Sequence, residues 1–437
     1  MIFSQVFPPE IGASEHRMER IARAMTETGR QVVVISEMPN HPVGVVPEVF
    51  RRRFAIWTEQ GGLLVLRTFV WTRPKKPFIV RLLFYISHMI SAVVAGMRLQ
   101  SVGFVLALSP SPFNALGGAV LARLKGAAFA IDAHDLWPED AVDIGQLRNV
   151  LAIRIASKLS SWLYKQATVV FVPSTAYIDL ICAQGIPQER IVHVPLGTDT
   201  SIFRQVDSLP FRRKHELVDS FLVVYAGRVS LTHGLDVIIE AATVLQDKCD
   251  VVFLIVGEGV ERPRLETLVR KQGLKNVRFM PPVPPKEVVP VICAADIVLC
   301  PLANSPRLAR TPTGKIYDLL ACARPVVVCG EGEAADILRD AGADTVVPAG
   351  DGHALAEVIR VASKRGINAP KFALKRVREK YDFPVIRDRV LKALEPYLPP
   401  PTAFIVGPHR KFRRSLEAYM EVISRTRGKL TDKTQEH

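Results

Sequence analysis

The sequence has no Asp-x-Asp pair, no Cys-x-x-Cys pair, and no charged leader before an apolar stretch at its start. Each absence excludes something. Without Asp-x-Asp no carboxylate-held divalent metal is expected, and no other cofactor is expected either. Without paired cysteines, Cys182, Cys249, Cys293, Cys300, Cys322 and Cys329 form neither a disulfide framework nor a zinc site. They fall mostly in apolar runs and read as small buried hydrophobes of a reducing compartment. Without a leader, no secretory signal is expected, which points to the cytoplasm. Acids are also scarce locally: from Arg51 to Arg98, nine Lys or Arg stand against one acid, Glu59.

What is present is positive charge and apolar bulk. The chain of 437 residues carries 57 Lys and Arg against 43 Asp and Glu, a net charge of +14. Such an excess favours an anionic partner. Neither zinc-knuckle spacing nor a basic-aromatic sheet signature of RNA binding is found, so no nucleic-acid partner is expected. A phosphorylated substrate and an acidic membrane face remain. The length suits two domains of roughly 200 residues each.

Apolar runs of strand length alternate with helix-length segments in both halves, the pattern of parallel sheets covered on two faces. In the first half the strands are expected at 2–7, 31–36, 63–68, 104–108, 129–133, 168–172 and 191–194. Helices are expected at 15–28, 77–100, 114–124 and 151–166. A polar, basic stretch without periodicity then reads as a linker. The alternation restarts with "FLVVYAGR", "VVFLIVGEG", "VRFMPP", "DIVLCPL", "RPVVVCG" and "DTVVPAG". The fold class is therefore α/β: two Rossmann-like, doubly wound domains facing each other across a cleft, with ligands at the C-terminal ends of the strands. The expected layout is an N-terminal domain over 1–203, a linker over 204–220 and a C-terminal domain over 221–380. A helix at 381–398 would return toward the first domain, and 399–437 would form a basic extension.

The segment "FIVRLLFYISHMISAVVAGMRL" is long enough to suggest a membrane span. However, Arg81, His88, Ser91 and Arg98 are spaced seven, three and seven apart and form one polar stripe. With the flanking "RPKKP", that pattern argues for an interfacial helix or a core helix. Membrane-surface contact through this basic apolar helix, 77–100, is the expectation.

Three features could carry chemistry, all in the second half. In "TPTGKIYDLLACARPVVV", Thr313, Gly314 and Lys315 would open a helix whose unpaired amides and dipole favour an anion. Asp318, three residues on, would share a face with Lys315 and could accept hydrogen bonds from a vicinal diol. The same pattern also fits a capped helix with a surface Lys–Asp pair. In "VVYAGRVSLTHGLD", Gly227 and Arg228 follow a buried strand directly, where a guanidinium would meet phosphate oxygens bidentately. "LIVGEG", with Gly257 and Glu258, marks a tight turn at the next strand end.

These motifs together resemble the donor-binding domain of GT-B-fold retaining glycosyltransferases of family four. The likeness extends over "NVRFMPPVPPKEVVPVICAADIVLCPL". In the first half, "VFPPEIGASEHRMERIARAMTETGRQVVVIS" resembles their glycine-turn opening. "DAHDLWPEDAVDIG" resembles the branch typified by bacterial L-fucosamine transferases, which build O-antigen and capsule. The resemblance implies a peripheral enzyme on the inner face of the cell membrane. It would move a sugar, an N-acetylated amino sugar, from a nucleoside diphosphate (UDP) donor to a polyprenyl-diphosphate-linked or saccharide acceptor.

Residue by residue, the resemblance sets Gly12 against the donor phosphates and His134 beside the transferred sugar. Asp135 and Glu139 would contact the acceptor hydroxyl. Arg228 would hold the diphosphate, Asp318 the ribose, and His233, Gly257, Glu258, Val283, Thr313, Gly314 and Lys315 would complete the donor site. There are two departures from the family pattern. Arg310 stands eight residues before Asp318 where the family has an acid, and His233 stands where it has a lysine. A UDP-N-acetylhexosamine 2-epimerase and a catalytically silent nucleotide-binding member therefore stay open as alternatives.

Overall fold

The computed structural model describes residues 1–10, 13–40, 44–73, 78–109, 112–143, 147–247, 250–311 and 313–401. The chain divides into two compact units, one of residues 1–172, 177–193 and 387 onward, the other of 173–176 and 194–386.

The first unit is built on β1 (Ile2–Phe3), β2 (Val33–Glu37), β3 (Ala55–Gln60), β4 (Leu63–Thr68), β5 (Phe104–Leu108), β6 (Ala128–Asp132), β7 (Val169–Val172) and β8 (Ile191–His193). They form one sheet in the order β3-β4-β2-β1-β5-β6-β7-β8. All neighbours are parallel except β3 and β4, an antiparallel hairpin. The Gly61–Gly62 turn of that hairpin was not read from the sequence, because β3 carries Thr58, Glu59 and Gln60 where a buried strand would be apolar. As an edge strand it needs only one covered face.

The helix at Phe78–Gly96 carries part of the polar stripe on its inner side. His88 and Ser91 are only 1% and 2% exposed. Thr68 Oγ1 and His88 Nδ1 lie 3.2 Å apart, and Ser91 Oγ donates to the Phe69 carbonyl at 2.5 Å. Leu83, Ile90, Val94 and Met97 face outward instead. The polar side chains turn inward because they satisfy groups at the end of β4, which outweighs the amphipathic rule. Among the described residues no helix is long and apolar enough to cross a membrane.

The second unit is a six-stranded, all-parallel sheet. Its strands are β9 (Phe221–Ala226), β10 (Val251–Val256), β11 (Val277–Met280), β12 (Ile297–Pro301), β13 (Val326–Cys329) and β14 (Val346–Val347). The order β11-β10-β9-β12-β13-β14 reverses direction between β9 and β12, and that reversal opens a crevice beyond the strand ends. Alternate residues serve opposite faces. Leu222, Val224, Leu254, Val298 and Cys300 pack into one core, and Val223, Tyr225, Phe253, Ile297 and Leu299 into the other. Burial on both faces explains why these strands are continuous apolar runs in sequence.

Residues 204–220, read as a linker, contain a helix at Leu209–Lys214. Arg212 donates to the Ala294 carbonyl and to Asp296, and Phe211 packs against the core, so this stretch is part of the second unit. Leu196, Ile202 and Phe203 pack against the same core. The helix Phe383–Leu394 begins in the second unit and ends in the first, where Glu395 pairs with Arg30 at 2.9 Å. Of the extension, 402–437 lie outside the described residues. Cys293, Cys300, Cys322 and Cys329 are buried and free, Cys182 is half-buried, and Cys249 lies outside the described residues.

Candidate functional site

The polar groups of the second unit gather where β9 meets β12. Tyr225, on β9, is buried to 1% exposure, and a buried phenol needs partners for its hydroxyl. It has two. Tyr225 Oη donates to the Arg228 carbonyl at 2.7 Å and accepts from Lys315 Nζ at 2.9 Å. The Lys315 ammonium also lies 4.2 Å from the centre of the Tyr225 ring. Burial lowers the Lys315 pKa to about 8, against the opposing pull of the Cys300 thiol on β12. The same burial pushes Cys300 up to about 11, so it stays a thiol.

Arg228 is exposed, and its guanidinium has no hydrogen-bond or ion-pair partner among the described residues. His233 is close enough to both cations to feel them. Burial first, then Lys315, then Arg228, lowers its pKa to about 3. Its Nδ1 lies 2.8 Å from Ser230 Oγ. The imidazole is thus neutral and cannot supply the charge of the lysine it replaces in the resemblance.

Backbone approach shapes the same corner. Gly227 has φ of +155°, and a Cβ there would sit 2.9 Å from Lys315 Nζ. Gly257, at φ +146°, abuts the Gly227 carbonyl so closely that no side chain fits. The Gly-x-Gly turn after β10 therefore packs the turn after β9. Glu258 pairs with Arg262 at 2.9 Å and is 62% exposed.

Lys315 opens the helix Lys315–Ala321, with Gly314 as its N-cap and the Thr313 carbonyl accepting from Ile316. Asp318 accepts a hydrogen bond of 2.6 Å from the hydroxyl of Thr198, which is buried. Thr198 was missed in the sequence because it lies 120 residues away. Val283 is half-buried against the core, and Arg310 is exposed at the end of Pro306–Arg310. Gly12 lies outside the described residues.

His134, Asp135 and Glu139 belong to the first unit, just beyond β6. All three are half-buried. His134 Nδ1 and Glu139 Oε2 are buried with no hydrogen-bond partner among the described residues. Such atoms are costly unless something else satisfies them. The loop hangs from Asp132, which takes Arg17 Nε at 2.6 Å and its terminal nitrogen at 3.2 Å, both side chains almost fully buried. No motif in the sequence marks Arg17, whose partner lies 115 residues away.

Residues 12–197 match the glycosyl transferase 4-like domain model, and residues 220–364 match that of glycosyl transferases group 1. The chain thus has a glycosyl transferase 4-like domain followed by a glycosyl transferases group 1 domain. It is 23% identical over 295 residues to the putative colanic acid biosynthesis glycosyl transferase WcaI of Escherichia coli K12, covering 64% of this chain and 71% of that protein. It is 30% identical over 186 residues to the D-inositol 3-phosphate glycosyltransferase of Acidothermus cellulolyticus, covering 40% of each. Among solved structures it resembles Anabaena HepE in complex with UDP-glucose, with TM-score 0.67 at 16% identity over 90% of this chain and 99% of that one. Sucrose-phosphate synthase of Thermosynechococcus elongatus gives TM-score 0.69 at 16% identity over 90% and 95%. The fold of this group 1 glycosyltransferase-like chain is thereby GT-B.

Proposed function

We propose that the chain is a retaining glycosyltransferase. It takes a sugar, an N-acetylated amino sugar, from a nucleoside diphosphate donor and passes it to a lipid-linked or saccharide acceptor in surface polysaccharide biosynthesis. The observation that carries this reading is the pair of cations, Arg228 and Lys315, both tied to Tyr225 at the point where the second sheet reverses. Two positive groups at a preformed crevice suit a diphosphate.

In the proposed step the bond between the anomeric carbon and the diphosphate oxygen breaks, and its electron pair stays on the departing phosphate. The acceptor oxygen bonds to that carbon from the same face, and its proton passes to the released phosphate. Arg228 and Lys315 would stabilise the charge that develops on the leaving group. Asp318 would hold the ribose, with Thr198 fixing its carboxylate. His134, with its unpartnered ring nitrogen, would meet the transferred sugar, and Asp135 and Glu139 the acceptor hydroxyl. The likeness of "DAHDLWPEDAVDIG" to the L-fucosamine transferase branch supports the amino-sugar donor. The outward apolar stripe of Phe78–Gly96 supports a peripheral position on the inner face of the cell membrane.

Arg228→Ala and Lys315→Ala are each expected to lower turnover by more than about tenfold while leaving the fold intact. Unchanged kinetics in both would remove the donor-site assignment. The exposed Arg310, in place of an acid, favours a second reading as a silent nucleotide binder. Calorimetric binding of UDP without consumption of any UDP-sugar would establish it, and release of an epimer without acceptor would instead reveal an epimerase.

A further inference from the structure

A groove of about 300 Å³ opens on the first unit, remote in sequence from every residue assigned above. Its lining combines Phe50, Phe69 and Trp71 with Arg51, Arg52 and Arg73. The floor is a small separate core of Met38, Phe50, Ile56, Val70 and Phe84. One wall is pinned to the Phe78–Gly96 helix, because the Trp71 amide donates to Ser87 Oγ at 2.9 Å and Ser91 holds the Phe69 carbonyl. The groove is therefore built and not a gap in a loose loop.

The charges on it are unbalanced. Arg51 is oriented by donating to the Val46 carbonyl at 2.9 Å, and Arg73 lies 5.2 Å from the Trp71 ring centre. No carboxylate pairs with Arg51, Arg52 or Arg73 among the described residues. Glu48, in the neighbouring turn, is exposed and does not line the groove. From Gln60 to Ile131 the chain contains no acid at all. A sugar site would need acceptors for hydroxyls, whereas the lining offers cations and aromatic faces. That combination suits an anionic head joined to a hydrocarbon chain. The volume sits at the lower end of ligand pockets, roughly 300–1,000 Å³, which leaves room for a head and the first few carbons only.

We propose that this groove binds the phosphate-bearing end of an isoprenoid lipid. The diphosphate lies against Arg51, Arg52 and Arg73, and the first isoprene carbons rest on Phe50, Phe69 and Trp71. The proposal rests on the transferase reading only in naming this lipid as the acceptor's carrier; the binding itself does not depend on that reading.

The test is calorimetric titration of the full chain with farnesyl diphosphate, inorganic pyrophosphate and farnesol, with UDP titrated in parallel. Farnesyl diphosphate is expected to bind at least about tenfold more tightly than either of its halves. Arg52→Asn combined with Arg73→Gln is expected to weaken it by at least about tenfold and to leave UDP binding unchanged. Asn is chosen at position 52 because Arg52 has φ of +58°, which asparagine tolerates better than most residues. Pyrophosphate binding as tightly as the lipid would overturn the proposal, as would an unaltered affinity in the double variant. Full displacement of farnesyl diphosphate by phosphatidylglycerol vesicles would also overturn it, giving the groove to bulk membrane headgroups. Loss of UDP binding alone in wild-type protein would sink the donor-site reading and leave this one standing.

Discussion

The two units are variations on one topology with opposite treatment of polar groups. In the second, the site groups other than the Arg228 guanidinium are already engaged: Lys315, Tyr225 and the Arg228 carbonyl bind one another, and Thr198 holds Asp318. In the first, the loop after β6 leaves a ring nitrogen of His134 and a carboxylate oxygen of Glu139 buried and unpartnered. Under the proposed function, one unit is organised in advance for its ligand and the other is completed by its ligand. A preorganised site loses little by staying assembled, whereas unsatisfied buried atoms destabilise the free protein.

The largest expected effect breaks the support of the first unit. Arg17→Met leaves Asp132 as a buried charge without its partner, which should cost about 3–5 kcal/mol and lower the melting midpoint markedly. If thermal unfolding shows less than about 1 kcal/mol, the pair does not hold the loop. UDP binding by the surviving folded protein should be unchanged, which keeps the two units separable.

Next comes Gly257→Val, which drives a side chain into the Gly227 carbonyl at a positive φ. It should destabilise by about 1–3 kcal/mol and abolish measurable UDP binding, because the turn bearing Arg228 must move. Retained UDP affinity in a folded variant would show that the turn after β9 does not shape the site.

Tyr225→Phe is gentler. It removes the hydroxyl that holds Lys315 and the Arg228 carbonyl, and donor affinity should fall roughly fivefold to tenfold, about one hydrogen bond's worth. No change would mean that Lys315 is positioned by packing alone.

The pH dependence sharpens the same point. Lys315 titrates near 8 when folded, below its ordinary value, so between about 8 and 10.5 the unfolded chain binds more protons than the folded one. The ligand-free protein should therefore gain stability from this group as pH rises through that window. Donor affinity should move the other way, falling above about pH 8 as the ammonium loses its charge. Lys315→Arg should remove the alkaline fall, since a guanidinium does not deprotonate there. The smallest effect is expected for Glu258→Gln, which loses an exposed ion pair worth about 0–1 kcal/mol and should leave donor kinetics alone.

The second unit was the more readable in sequence because strands buried on both faces are written as unbroken apolar runs, as in "VVFLIV". Arg228 and Lys315 stand out as candidates because each sits directly after a recognisable element boundary. Tyr225 and Thr198 could not: one looks like an ordinary core aromatic, and the other acts across 120 residues. In the first unit the β3–β4 hairpin was missed because an edge strand carries a mixed pattern. Along Phe78–Gly96, periodicity gives the polar stripe but not which side the neighbours can satisfy. The arginine groove is not legible in the sequence, because its lining comes mostly from stretches at 44–52 and 69–73 that share no motif.

The chain's return to the first unit at Arg387 has a practical corollary. Residues 194–386 begin and end at neighbouring points, where Thr198 bridges Asp382 and Thr200 also binds that carboxylate. That stretch is continuous and lacks only residues 173–176 of its unit, of which Ser174 donates to Glu333 at 2.9 Å. The other half is a discontinuous assembly that needs both chain ends, Arg30 reaching Glu395 and the Pro399 carbonyl. A stop codon placed just after residue 386 would thus damage the half of the protein that was synthesised first.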